Sequence, residues 1–328
     1  MGVELSCAFA TALETPDHIA LAEELGYRRA WCYDSPGLYP DVWMVLARAA
    51  DRTSTIGLGP GVLVPSLRHV AVNAAAVVAL EAWAPGRVAV AVGAGFTGRM
   101  VLGRRPMKWR DVADYVRALR ALLRGEEVEV DGGLVRLLHD PTCGAPRPLD
   151  VPILIGADGP KGLAVAEELG DGVFSAAVPQ PGATAAWRAL LSFGTVLDDG
   201  EDLASPRARA AYGPGLAVAY HAVYERGGAA AVDGLPGGST WRQAVEAVAP
   251  ERRHLAVHEG HLVATNPRDD LVLDDAAALA PAFTLTGTAA EVRARVEALA
   301  AAGVTELAFQ PAGPDVEREL RAMAAAVA

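Results

Sequence analysis

Short apolar runs alternate with amphipathic, helix-like segments along nearly the whole chain. The runs are rich in β-branched residues and apolar on both faces, which is typical of parallel strands buried between helices. The predicted strands are residues 3–9, 29–33, 55–64, 87–92, 151–155, a short strand from 172, 215–220 and 304–310. The predicted helices are residues 15–25, 42–51, 67–83, 106–123, a segment from about 160, 183–197, 291–302 and 315–327.

Eight strands alternating with helices in 328 residues predict an α/β protein with a (β/α)8 TIM barrel. No linker or shift in composition divides the chain, so we predict a single domain over residues 1–328. The region of about 221–282 is longer than one crossover needs, and we interpret it as an insertion between strands seven and eight. Gly132-Gly133, between two alternating runs, indicates a hairpin at 128–138.

The fifth predicted strand ends in the most informative loop of the chain, Gly156-Ala157-Asp158-Gly159-Pro160-Lys161. Pro160 suits the first position of a helix, so the free N–H groups of Gly159 and Lys161 would lie at a helix N-terminus. Such a terminus favours a phosphate or another anion, and Lys161 adds positive charge. The alternative is an ordinary strand-to-helix turn with a surface lysine.

Two further glycine patterns follow predicted strands. Gly93-Ala94-Gly95-Phe96-Thr97-Gly98 matches G-x-G-x-x-G, but the strong helical pattern begins only near Pro106, which argues against a Rossmann nucleotide site. We interpret Gly93 and Gly95 as a tight turn at the barrel mouth that lets a planar ligand approach. The third strand contains glycines and prolines, which indicates either a bulge that places a flat ligand against Gly61-Val62 or a shorter strand.

Polar candidates for chemistry are few. Asp34-Ser35 follows the second strand and either binds a ligand or caps the next helix. His254, His258, Glu259 and His261 are grouped in the insertion, but their order is not H-E-x-x-H, so we predict no metal site. His258 and His261 are candidates for a substrate-facing acid or base, with a surface or structural role as the alternative.

Composition narrows the possible partners. The net charge of −11 argues against nucleic acid or an anionic membrane surface as a partner. No apolar stretch is long enough to span a bilayer, and the N-terminal residues lack the basic region of a signal peptide. We therefore expect a cytoplasmic protein that acts on a small molecule.

The chain resembles the luciferase-like flavin and deazaflavin superfamily. The resemblance is carried by residues 52–96, which contain GVLVPSLRH and PGRVAVAVGAG, and by the phosphate-type segment at 151–173. Residues 15–35 and the C-terminal strand-and-helix signature at 283–311 add to it, and it fades over 198–280. The resemblance implies a TIM barrel that binds FMN or coenzyme F420 with the ring in the barrel mouth.

The resemblance also implies roles for particular residues. The ring would rest against a bulge at Gly61-Val62, where the family often has a cis peptide bond, and Asp34 would meet the ring's polar edge or the substrate. The cofactor phosphate would sit on Gly159, Pro160 and Lys161, with help from Gly172. We include Gly93, Gly95, Gly156, Ala157 and Asp158 in the predicted cofactor site, and Asp34, His258 and His261 as catalytic candidates.

Around the third strand and Gly159-Pro160-Lys161, the chain is more similar to the deazaflavin branch of methylenetetrahydromethanopterin reductases and glucose-6-phosphate dehydrogenases. Phe96 and Ser35 stand where the sugar-phosphate enzymes have glutamate and histidine, which argues against that reaction. We therefore expect an F420-dependent oxidoreductase that exchanges a hydride with a small organic substrate. The alternatives are an FMN-dependent monooxygenase and a cofactor-free binding protein. The resemblance also implies a homodimer.

Overall fold

The computed structural model describes residues 2–140, 142–176 and 178–328. Within these residues, eight parallel strands close a barrel in the order β1-β8-β7-β6-β5-β4-β3-β2. The strands are β1 (Glu4–Phe9), β2 (Arg29–Cys32), β3 (Gly57–Leu63), β4 (Val90–Gly93), β5 (Ile153–Gly156), β6 (Gly172–Ala176), β7 (Trp187–Phe193) and β8 (Glu306–Gln310). The predicted TIM barrel is therefore confirmed.

Helices cover the outside of the barrel and fill the long connection before β8. They are α1 (Thr15–Glu24), α2 (Val42–Ala50), α3 (Val70–Trp83), α4 (Phe96–Met100), α5 (Trp109–Arg124), α6 (Pro160–Leu169), α7 (Pro206–Asp233), α8 (Gly238–Glu246), α9 (Arg253–His258), α10 (Pro267–Ala276), α11 (Ala280–Phe283), α12 (Ala289–Ala301) and α13 (Val316–Val327). In the part of the chain that the structure describes, no helix has the length and apolar character needed to cross a membrane.

Local sequence signals set several helix ends. The Asp41 carboxylate accepts hydrogen bonds from the backbone N–H groups of Trp43 and Met44 and so caps α2. Thr288 and Glu291 form a capping box at the start of α12. Helix α6 begins at Pro160, as predicted. The helix predicted from Pro106 begins instead at Trp109, and the short helix α4 precedes it, directly after Gly95.

Two predicted elements on the C-terminal half are wrong. The predicted helix at 183–197 contains strand β7, and the predicted strand at 215–220 lies inside α7. The residues of β7 are buried between β6 and β8 and pair with both, so tertiary pairing overrides the helical preference of Ala and Leu. Helix α7 is broken at Gly228, whose φ of 72° is in the left-handed region.

The connection between β7 and β8 is mainly helical and longer than the predicted 221–282. Val196–Leu197 and Gly287–Thr288 form a short parallel pair at its two ends. Between them, α7, α8 and α10 pack on one another around a core of their own. The predicted hairpin is present as Val128–Val130 paired with Gly133–Val135.

Aromatic side chains fill the barrel interior below the mouth. Trp31 is fully buried and contacts Phe174 edge-on, with ring centroids 5.2 Å apart. Glu306 accepts hydrogen bonds from the indole N–H groups of Trp31 at 2.8 Å and Trp187 at 2.6 Å. The Arg29 guanidinium lies 5.4 Å and 4.9 Å from the centroids of the same two rings. This packed centre fills the barrel interior below the mouth.

Candidate active site

A cavity of about 500 Å³ lies at the carboxyl ends of the barrel strands. Its wall includes the residues that follow β2, β3, β4 and β5, and one side is formed by α7 and the segment after α9. The lining is predominantly apolar, and this size is typical of a site for a small molecule or cofactor. Because active sites of TIM barrels lie at this face, the cavity is the candidate active site.

Val62 and two glycines form part of the cavity wall. The peptide bond between Gly61 and Val62 is cis, and the pairing of β3 with β4 shifts register between Gly61 and Leu63. The predicted bulge is therefore present. A Cβ on Gly93 would lie 2.8 Å from one Val62 methyl, and a Cβ on Gly156 would lie 2.6 Å from the other. These positions are therefore glycine because a larger residue would collide with Val62. Contact with a ligand is not needed to explain them.

Asp34 lies in the wall of the cavity and is 2% exposed. Its carboxylate accepts hydrogen bonds from Arg68 at 2.7 Å and from the Val64 backbone N–H at 3.2 Å. Burial raises the pKa of Asp34, while the hydrogen bond from Arg68 acts in the opposite direction. Arg68 also binds Asp41 at 2.6 Å, the residue that caps α2. Asp34 is therefore held rigidly by an ion pair rather than free to reorient.

The predicted phosphate segment lies at the edge of the cavity. Gly156 and Asp158 are part of the wall, whereas Ala157 is buried beneath it. Gly159 precedes α6, and a Cβ there would have no heavy atom within 4 Å. Pro160 and Lys161 are exposed in the first turn of α6. The helix terminus is open to a ligand that extends out of the cavity.

Gly172 has a different environment. It is the first residue of β6 and is buried, so it lies at the end of the barrel opposite the cavity. A Cβ at this position would lie 2.7 Å from the Trp187 carbonyl oxygen. Close packing inside the barrel explains the glycine, and Gly172 is not part of the cavity wall.

The structure brings Gly95 and Phe96 to the cavity and adds a residue that sequence reasoning missed. Gly95 has a φ of 76° and directly precedes α4, so it provides the predicted tight turn. The guanidinium of Arg226 lies 4.9 Å from the centroid of the Phe96 ring. Arg226 belongs to α7, and it places a positive charge in the cavity wall.

His258 and His261 also lie in the cavity wall, and both are buried rather than on the surface. His254 does not join them; His221 of α7 does, and one ring nitrogen of each of these three histidines lies within 4.8 Å of the others. Sequence reasoning missed His221 because it was predicted to follow a strand, at the start of the insertion, rather than to lie on a helix. On a helix, His221 and Glu225 have i, i+4 spacing and share one face.

The loop after α9 is tied to the barrel on both sides of His261. The Tyr39 hydroxyl donates a hydrogen bond to the His261 carbonyl, and the Gln310 side chain donates to the Leu262 carbonyl at 2.7 Å. Burial and the neighbouring His221 and His258 lower the pKa of His261 well below its ordinary value, so its ring is neutral at neutral pH.

Comparison with known proteins shows which family the chain belongs to. The luciferase-like monooxygenase family model matches residues 8–306. A 5,10-methylenetetrahydromethanopterin reductase from Archaeoglobus fulgidus is 29% identical, over 93% of this chain and 91% of that protein. An F420-dependent glucose-6-phosphate dehydrogenase from Beutenbergia cavernae is 31% identical, over 47% of this chain and 50% of that protein.

A solved structure shows the same fold over the whole chain. The coenzyme F420-dependent tetrahydromethanopterin reductase from Methanopyrus kandleri matches with a TM-score of 0.67 and 20% identity, over 100% of this chain and 99% of that one. Since the family model spans six complete barrel strands (β2 to β7) and parts of β1 and β8, the family assignment rests on nearly the entire barrel. The chain belongs to the luciferase-like monooxygenase family.

Proposed function

We propose that the protein is a coenzyme F420-dependent oxidoreductase that transfers a hydride between C5 of the deazaflavin and a small organic substrate. The observation that carries the proposal is the apolar cavity at the barrel mouth with the Gly61–Val62 bulge in its wall. The names of the relatives, which include a methylenetetrahydromethanopterin reductase and an F420-dependent dehydrogenase, support F420 over FMN.

The residues present fit a flat, tricyclic ring. A side chain on Gly93 or Gly156 would collide with Val62 and displace it, so the glycines keep this side of the cavity even. Phe174 and Phe193 add apolar surface to the same cavity. In this proposal Val62 supports the ring, and Asp34, held by Arg68, meets its polar edge or the substrate.

The acidic side chain of the cofactor would leave the cavity past Asp158 toward α6. There the first turn of α6 offers backbone N–H groups and the positive end of the helix dipole. This turn contains no acidic residue. Lys161 and Arg226 supply positive charge. Gly159, Pro160 and Lys161 are the proposed phosphate contacts, with Ala157 shaping the turn from below.

When bound, the cofactor supplies the hydride chemistry, while the protein supplies orientation and electrostatics. The predominantly apolar lining provides a surface for the flat ring. His258 and His261 lie in the cavity wall and are the proposed substrate-facing groups.

The first experiment titrates the purified protein separately with F420 and with FMN and follows cofactor fluorescence. Tight binding of F420 without FMN is the expected result. Binding of FMN alone would replace the proposal with a flavin-dependent monooxygenase. Binding of neither would favour a cofactor-free binding protein.

The second experiment tests the phosphate site. Lys161→Ala should weaken F420 severalfold, because single exposed charge pairs contribute up to about 1 kcal/mol. The same variant should not change the affinity for the deazaflavin chromophore that lacks the phosphate-containing side chain. Arg321→Ala, which removes an exposed charge on α13 outside the cavity wall, is the matched control. Equal weakening of both ligands by Lys161→Ala would refute the assignment.

We also propose that the protein is a cytoplasmic homodimer built from single-domain subunits. Light scattering of the purified protein measures the subunit number directly. A mass of one chain of 328 residues would contradict the homodimer.

A further inference from the structure

Three buried histidines come together at one side of the cavity. His221 lies on α7, His258 ends α9 and His261 lies in the loop that follows. Their exposed fractions are 2%, 1% and 6%. One ring nitrogen of each lies within 4.8 Å of one from each of the others. The ring centroids are 5.2 to 6.2 Å apart.

The ring nitrogens of the three histidines differ in their partners. His221 Nε2 lies 2.9 Å from Asp269 Oδ1, and His261 Nε2 lies 3.5 Å from Thr97 Oγ1. His258 Nε2 lies 3.0 Å from Glu225 Oε1 but forms no hydrogen bond with it. That atom and the Nδ1 atoms of all three rings are buried without a hydrogen-bond partner among the described residues, which calls for an explanation because buried polar atoms are rarely left unpaired.

The Asp269 carboxylate is itself held firmly. It accepts hydrogen bonds from the Trp241 indole at 2.9 Å and from the Asn266 side chain at 2.7 Å. As an acceptor it favours the His221 tautomer with the proton on Nε2, which leaves a lone pair on Nδ1. A carboxylate behind a histidine is the usual second layer of a metal site, because it fixes the ring and strengthens the ligand. Asp269 provides this arrangement for His221, and Glu225, whose Oε1 lies 3.0 Å from His258 Nε2 without a hydrogen bond, is in position to provide it for His258.

We propose that His221, His258 and His261 bind a divalent transition metal of the zinc class through one ring nitrogen each. Zinc–nitrogen bonds of about 2.0–2.1 Å in a tetrahedral site put the ligand nitrogens roughly 3.3 Å apart. The present spacing of up to 4.8 Å therefore has to contract by an ångström or so on binding.

A fourth coordination position would face the cavity. All three histidines and Glu225 are part of the cavity wall, so the metal would be open to the molecule bound there. Three protein ligands and one open position are typical of catalytic rather than structural zinc. The open position takes water or a carbonyl or hydroxyl oxygen of a ligand. Glu225 Oε2 is buried without a partner in the described part of the chain and is the acceptor for a proton of such a water.

The test uses metal-free full-length protein, prepared by dialysis against a chelator, and titrates it with Zn²⁺ alone by calorimetry. The expected result is one equivalent bound, with Co²⁺ giving the visible absorption of a tetrahedral site. His258→Ala should abolish stoichiometric binding. His254→Ala is the matched control, since His254 lies on the same short helix but outside the cluster, and it should bind like the wild type.

The melting temperature of each metal-free variant checks folding, and His258→Gln replaces His258→Ala if the latter does not fold. Glu225→Gln should lower the zinc affinity by roughly 10–100-fold, as expected for a residue behind a ligand. Absence of stoichiometric Zn²⁺ and Co²⁺ binding by the wild-type protein would overturn the proposal. So would equal affinities of the His254 and His258 variants. Neither result depends on F420.

Discussion

Gly156→Ala adds one methyl group against the side chain proposed to support the cofactor ring. The new Cβ would lie 2.6 Å from a Val62 methyl and 3.5 Å from its Cβ. Carbon atoms pack best at about 3.5–4.0 Å, so the Val62 methyl has to move by about 1 Å or more. It must move away from β5, and the cavity surface that Val62 provides moves with it.

Two effects of known size follow. Overpacking of this kind costs about 1–3 kcal/mol in the free energy of unfolding. If cofactor binding has to work against about 1.4 kcal/mol of this strain, the Kd for F420 rises roughly tenfold. The first effect is measured by urea unfolding and the second by fluorescence titration with F420.

Gly182→Ala is the matched control, because it is the same substitution at an exposed position with no heavy atom within 4 Å of the new Cβ. Its Kd and its free energy of unfolding should stay at the wild-type values. An unchanged Kd for Gly156→Ala, with the expected loss of stability, would show that Val62 does not support the ring. Unchanged stability as well would show that Val62 adjusts freely, against the packing argument.

Two predictions concern carboxylates away from the cavity, the buried Glu306 and the partly exposed Glu201. Glu306→Gln places an amide N–H₂ against one of the two indole N–H donors and should cost about 1–3 kcal/mol in the free energy of unfolding, because one buried donor loses its acceptor. Glu297→Gln, on the exposed face of α12, is the control and should change the free energy of unfolding by no more than about 0.5 kcal/mol. If urea unfolding shows the same loss of stability for both variants, the role of Glu306 is contradicted. The hydrogen bond from Arg207 lowers the pKa of Glu201 from 4.5 to about 2. The ionised Glu201 therefore stabilises the fold above pH 4.5, and this contribution to the free energy of unfolding is lost as the pH falls toward 2. Glu201→Gln should therefore weaken the loss of stability between pH 5 and pH 3 in acid titrations of unfolding, and identical slopes for variant and wild type would rule this out.

The alternation of apolar runs and amphipathic segments was enough to predict the barrel, because a strand buried on both faces and a one-sided helix leave different periodicities. Local chemistry also predicted particular features correctly. Glycine and proline inside the third strand indicated either a bulge at Gly61–Val62 or a shorter strand, and the structure has the bulge; Pro160 predicted the start of α6. The start of α6 depends on residues close in sequence, whereas the bulge also needs Gly93 and Gly156 on neighbouring strands to make room for Val62.

Tertiary structure decided the features that depend on distant partners. The residues of β7 are strand only because β6 and β8 pair with them on both sides, and an intrinsic preference of a few tenths of a kcal/mol per residue cannot resist that pairing. Asp34 acquires its ion pair with Arg68 from a different strand-to-helix connection. His221 meets His258 and His261 only after α7 folds back over the barrel mouth. The sequence by itself determined the alternation of strands and helices and several helix starts. Packing between elements decided which segment forms β7 and which polar side chains share the cavity, since neither has a local signature.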